Sequence, residues 1–188
     1  MGQLFEALLP RHVTFIEGQK IFFVGTAAAK GSVNLSPKGG DSLRVLDAHT
    51  LAWLNLTGSG NESAAQVLQQ PRMTVMFCAF EGAPLILRAY GQARVLHRTD
   101  PQWPSLLALF PPSVAARQIF LLNIERVQTS CGMSVPLFDY QGDREDLANW
   151  SARQGKEGIE AYWRKKNQLS LDGVESEILA RSGLPADA

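Results

Sequence analysis

Two apolar, strand-like runs, 73–80 and 84–96, are separated by only Glu81-Gly82-Ala83. Three residues cannot carry a chain back to the start of a parallel neighbour, but they suit a hairpin. The same spacing recurs along the chain. Runs 20–28 and 32–36 flank a turn at Gly31, runs 43–46 and 50–56 flank Asp47-Ala48-His49, and 118–128 returns to strand character. A sheet built from these runs is mainly antiparallel. Helical spacing enters among them at 61–70, where Asn61 suits the N-cap and Pro71 ends the element, and again at 100–110, with Asp100 as N-cap and Pro101 in the first turn. Gly91, in the middle of the longest hairpin strand, marks a bulge or bend. After Asp139 the texture turns polar and helical, with helices expected from 142 to 153, from 156 to 166 and near 174–180. The expected fold class is mainly β: an antiparallel closed or split β-barrel with peripheral helices (α+β).

The totals narrow the function. A chain of 188 residues with 45% apolar content supports one cored domain with appendages. Lys+Arg and Asp+Glu are balanced at 18 each, which argues against nucleic acid or an anionic membrane as partner. No apolar run nears the roughly 20 residues of a membrane helix, and Glu6 and Pro10 break any signal-peptide core, so a soluble cytoplasmic protein is expected. His12, His49 and His97 are scattered and neither cysteine sits in a CxxC pair, so no metal site is expected. Cys78, among phenylalanines, reads as core, and Cys131 as a buried structural cysteine rather than a reactive thiol.

Two segments carry the chemistry. Asn34-Leu35-Ser36-Pro37-Lys38-Gly39 ends one strand; Gly58-Ser59-Gly60-Asn61-Glu62-Ser63 ends another and opens a helix. Strand ends and helix starts present free backbone N–H groups, and here hydroxyls, amides and one lysine accompany them: the chemistry of a phosphate cradle. Arg44 and Arg88 lie inside strand patterns, on exposed faces or near a partner. No acid–base pair or nucleophilic triad declares itself, so any hard chemistry must come from a bound cofactor.

In combination, NLSPKG (34–39), LRVL (43–46), LTGSGNES (56–63), MFCAFEGAPLILRAYG (76–91), TSCGMSVPLFDY (129–140) and KNQLSLDG (166–173) resemble the pyridoxamine 5′-phosphate oxidase-like family, the flavin-binding split barrels. The resemblance implies a six-stranded antiparallel split barrel over 1–140, a helical extension over 141–188, and a homodimer with FMN at the subunit interface. It implies an FMN phosphate held by Asn34, Ser36 and Lys38 at the second strand end and by Thr57, Asn61, Glu62 and Ser63 before the inserted helix. Arg44 would assist in neutralisation, and Arg88 would reach the flavin from the partner subunit. The implied function is an FMN-dependent oxidoreductase acting on a small organic substrate, with a nicotinamide electron donor. A non-catalytic flavin carrier or sensor is the alternative. A haem or deazaflavin pocket is a third reading, with haem drawing an axial ligand from His12, His49 or His97.

Overall fold

A computed structural model describes residues 2–185. The elements are β1 (Gln3–Phe5), α1 (Pro10–Gly18), β2 (Phe22–Ala27), β3 (Val33–Lys38), β4 (Leu43–Asp47), β5 (Thr50–Leu56), α2 (Glu62–Gln69), β6 (Arg72–Cys78), β7 (Ile86–Leu96), α3 (Trp103–Leu107), β8 (Ala116–Ser130), α4 (Asp146–Lys166) and α5 (Ile178–Arg181). Every strand expected from the hairpin spacing is present. The short β1 and α1 are additions, and α1 gives little sequence signal because it buries only His12 and Ile16. Asp100 does not cap the helix after it. Its carboxylate instead accepts the backbone N–H of His97 at 2.6 Å, and α3 begins later, at Trp103. Helix α4 is broken at Gly155, whose φ of 63° only glycine adopts cheaply, where the sequence separated two helices.

The strands form one antiparallel sheet in the order β3-β2-β6-β7-β8-β5-β4, with β1 paired to β8. It holds eight strands rather than six. The fifteen-residue β8 is long enough to pair β5 and then β1 along one edge while pairing β7 along the other. The sheet curls: Phe22 of β2 meets Trp53 of β5 edge-on at 6.4 Å, although three strands separate β2 from β5. The end strands β3 and β4 do not pair, so the barrel is split. Its interior is packed by Phe22, Val24, Trp53, Val75, Phe77, Leu87, Phe120 and Leu122. The outer face of β5 and β8 is covered by Trp103 and Phe110. Among the described residues no helix is long and apolar enough to cross a membrane.

Three register shifts bend the sheet. One falls between Tyr90 and Gly91, as the glycine foretold. A Cβ on Gly91 would overlap the Asn123 carbonyl, so close backbone approach is what the glycine permits. A second lies between Asn55 and Leu56, which pair with Gln118 and Ala116, leaving Arg117 as the extra, unpaired residue.

Candidate functional site

A cleft of about 610 Å³ opens between β3, the segment 58–63 that leads into α2, the end of β5, the start of β8 and the turn after α4. Strand alternation explains the contribution of β3. Val33 and Leu35 point out to solvent, so Asn34, Ser36 and Lys38 point in and line the cleft. Asn61, Glu62 and Ser63 line it from the start of α2. The two segments singled out in the sequence therefore converge, twenty residues apart in the chain but on one cavity. Asn34 joins them directly, its Nδ2 donating to Thr26 Oγ1 at 3.1 Å and to Ser63 Oγ at 3.0 Å.

The residue that dominates the electrostatics is Arg117. As the extra residue of its bulge it leaves the alternation of β8, and its side chain enters the cleft wall, only 3% exposed. One Nη donates to Gly60 O at 2.9 Å and to Asn167 Oδ1 at 2.8 Å, while Nε is buried without a partner. Neither Arg117 nor Lys38 has an ion-pair partner among the described residues. Burial, followed by the Arg117 charge, lowers the Lys38 pKa to about 8. Burial also presses Arg117 down to about 9, against a smaller opposing influence of Tyr162, so it is charged at neutral pH. Lys38 Nζ further sits 5.2 Å from the Trp53 ring centre, a cation–π contact. Lys166 adds a third cation at the rim.

Asn61 occupies the N-cap position of α2, but its side chain caps nothing. Its Nδ2 donates instead to Asn167 O at 3.2 Å, and its Oδ1 is buried without a partner. The helix start is thus left without a side-chain cap beside two cations, an arrangement that attracts an anion. Glu62, the one carboxylate on the lining, is turned to the C-terminal turn and accepts Leu171 N–H at 3.0–3.1 Å. Asp172 fastens the same turn by accepting Ser32 N–H at 2.8 Å. Leu169, Ser170 and Leu171 thereby form one wall of the cleft.

Three expected residues do not line this cleft. Thr57 is buried behind it, donating to Ala115 O and accepting Trp163 Nε1–H, both at 2.9 Å, so it braces α4 against the barrel. Arg44 pairs with Asp41 at 2.6 Å, donates to Leu109 O and lies over the Phe110 ring. Arg88 donates to Ser130 Oγ at 3.1 Å. Cys131 is exposed, not buried, because it follows the last residue of β8, whereas Cys78 is in the core as expected. None of the three histidines lines the cleft: His12 and His97 are buried and His49 is exposed on the β4–β5 turn. Arg117, Asn55, Lys166 and Asn167 were missed. The available signal for Arg117 was a charge abutting the apolar strand run that begins at Gln118.

Comparisons with known proteins agree with this architecture. The pyridoxamine 5′-phosphate oxidase family profile matches residues 8–131. The pyridoxamine 5′-phosphate oxidase family protein ustO of Aspergillus flavus is 32% identical over 176 residues, covering 83% of this chain and 70% of that protein. Among solved structures, a protein described as a putative pyridoxamine 5′-phosphate oxidase from Lactobacillus delbrueckii is similar at 22% identity and a TM-score of 0.53, covering 65% of this chain and 94% of that one. HupZ of Group A Streptococcus is similar at 18% identity and a TM-score of 0.53, covering 64% and 91%. At these identities the two structures attest the fold alone.

Proposed function

Because the chain belongs to the pyridoxamine 5′-phosphate oxidase family, we propose that it is an FMN-dependent oxidoreductase acting on a small organic substrate. One observation supports this above the rest: Lys38 and Arg117, two cations without an acidic partner, face a cleft beside the uncapped start of α2. A buried cation without a counter-ion costs free energy in the free protein, and a bound dianion removes that cost. The donor set fits a phosphate monoester. Lys38 and Arg117 would supply charge, Ser36 and Ser63 hydroxyls, and the first turn of α2 its N–H groups.

Segment 58–63 carries no basic residue, and Arg117 supplies the positive charge beside it. FMN bound there supplies hydride and single-electron transfer. The residues of this chain would hold its phosphate, with Leu169 to Leu171 forming one wall. A homodimer, with Arg88 reaching across from the other subunit, and a nicotinamide donor complete the proposal.

Releasing the cofactor from purified protein by denaturation and identifying it by mass tests the reading, followed by anaerobic addition of NADH or NADPH. FMN release and bleaching of the flavin bands are expected. A colourless protein that FMN cannot reconstitute would sink the reading. Release of FMN with no bleaching would instead favour a carrier or sensor.

A further inference from the structure

Behind the cleft, three polar side chains line up across three neighbouring strands. Asn55 of β5 is paired opposite Gln118 of β8. Leu96 of β7 pairs with Ile119, so His97, the next residue, falls opposite Gln118 from the other side. Asn55 Nδ2 donates to Gln118 Oε1 at 3.0 Å, and Gln118 Nε2 lies 3.0 Å from His97 Nε2. The three residues are 3%, 0% and 0% exposed. An amide nitrogen can only donate, so His97 Nε2 accepts and the neutral ring carries its proton on Nδ1.

That direction has a cost. His97 Nδ1 is buried with no partner, and an unpaired buried N–H bears its full desolvation penalty. Reversing both amides would move the ring proton to Nε2 and leave only a lone pair unpaired on Nδ1. It would also put the Asn55 amide N–H groups on the cleft that Lys38 and Arg117 line, donors in the field of cations. In the observed direction Asn55 lines the cleft, and its Oδ1 has no partner among the described residues and is not sealed from solvent. The carbonyl thus opens on the cavity that the two cations share, and their field favours that choice.

We propose that His97 is a positioning residue. Acting through Gln118, it holds Asn55 with its carbonyl oxygen toward the cleft, where that oxygen accepts a hydrogen bond from a hydroxyl or N–H of a ligand whose anionic end rests on Lys38 and Arg117. This rests on the flavin reading above for the identity of that ligand, the donors then being the hydroxyls of the ribityl chain or an N–H of the ring. It makes the cleft selective for a phosphate that carries donors over a bare one.

Two measurements test it. On the free protein, nitrogen-15 NMR of the His97 ring should find Nδ1 protonated and Nε2 unprotonated; the opposite tautomer overturns the proposal whatever ligand binds. In binding, His97→Gln places a carbonyl oxygen near the position of Nε2 and should hold the FMN dissociation constant within about threefold. His97→Leu should weaken FMN about tenfold, the scale of one hydrogen bond, and leave inorganic phosphate unchanged. Equal losses in the two variants, or parallel losses for FMN and phosphate, would overturn it. Should the unmodified protein bind phosphate but not FMN, the flavin reading fails, and the tautomer alone then decides the direction of the chain.

Discussion

At the scale of single residues, the site is set by what two cations lack. Lys38 is held at a pKa of about 8 by burial and by Arg117, and an anion binds its charged form. Affinity for FMN should therefore be level between about pH 7 and 8 and fall above it, by at most tenfold per pH unit until Arg117, at about 9, adds its own loss. The sign is opposite for the free fold: a depressed lysine pKa means the unfolded chain binds more protons, so stability rises as pH passes from about 8 toward the ordinary lysine value. Titrating FMN fluorescence from pH 7 to 8.5, below the Arg117 value, checks the first point. Lys38→Arg should flatten the fall, since a guanidinium keeps its charge over that range, whereas Lys38→Met should remove both the fall and about tenfold of affinity. Arg117→Met tests the other cation. It removes a buried charge along with its bonds to Gly60 and Asn167, two effects that offset, so the melting temperature of the free protein should move by less than about 4 °C. The rise in Tm that FMN produces in the unmodified protein should vanish. A large loss of stability with the FMN-dependent rise intact would show Arg117 to be a brace and not an anchor.

At the scale of elements, the bulges show why part of the design is legible and part is not. Gly91 announces its bulge, because only a residue without a Cβ tolerates the Asn123 carbonyl so near. Gly91→Ala should cost about 1–3 kcal/mol by overpacking, read as a lower urea midpoint with unchanged m-value. The bulge at Arg117 carries no such mark. Its strand runs Ala116-Arg117-Gln118-Ile119 with no glycine, and the extra residue emerges only from how β5 and β8 are paired. Alternation from a strand start at Gln118 therefore left Arg117 in the preceding loop. Asn61 erred in the other direction: local chemistry made it a cap, but Asn167, more than a hundred residues away, takes its amide. Local signals found GSGNES, which does open α2, whereas NLSPKG forms nearly all of β3 and not its end, so its residues reach the cleft by strand alternation. The partners of those residues are long-range, and the chain alone does not display them.

At the scale of the whole molecule, the hairpin spacing was enough for an antiparallel barrel, closed or split, since short turns leave few other ways to bury these runs, and the family resemblance supplied the split. What it could not supply is the outer face. Strand β3 is an end strand, its inner face given to the cleft and its outer face to Val33 and Leu35, 78% and 65% exposed. An open apolar edge of this kind invites pairing unless something covers it. If a second copy covers it, dimerisation and ligand binding are coupled, because the strand buried by the partner is the one that aims Asn34, Ser36 and Lys38. Light scattering after size exclusion should then give twice the 20.6 kDa chain mass. Leu35→Glu, which puts a charge on the outer face without touching the lining, should shift the protein to monomer and weaken FMN binding by at least tenfold. Lost binding in a protein that stays dimeric would mean the substitution acts through β3 itself. A monomer that holds FMN as tightly as the unmodified protein would separate the cleft from any interface, and the site would have to be complete within one chain.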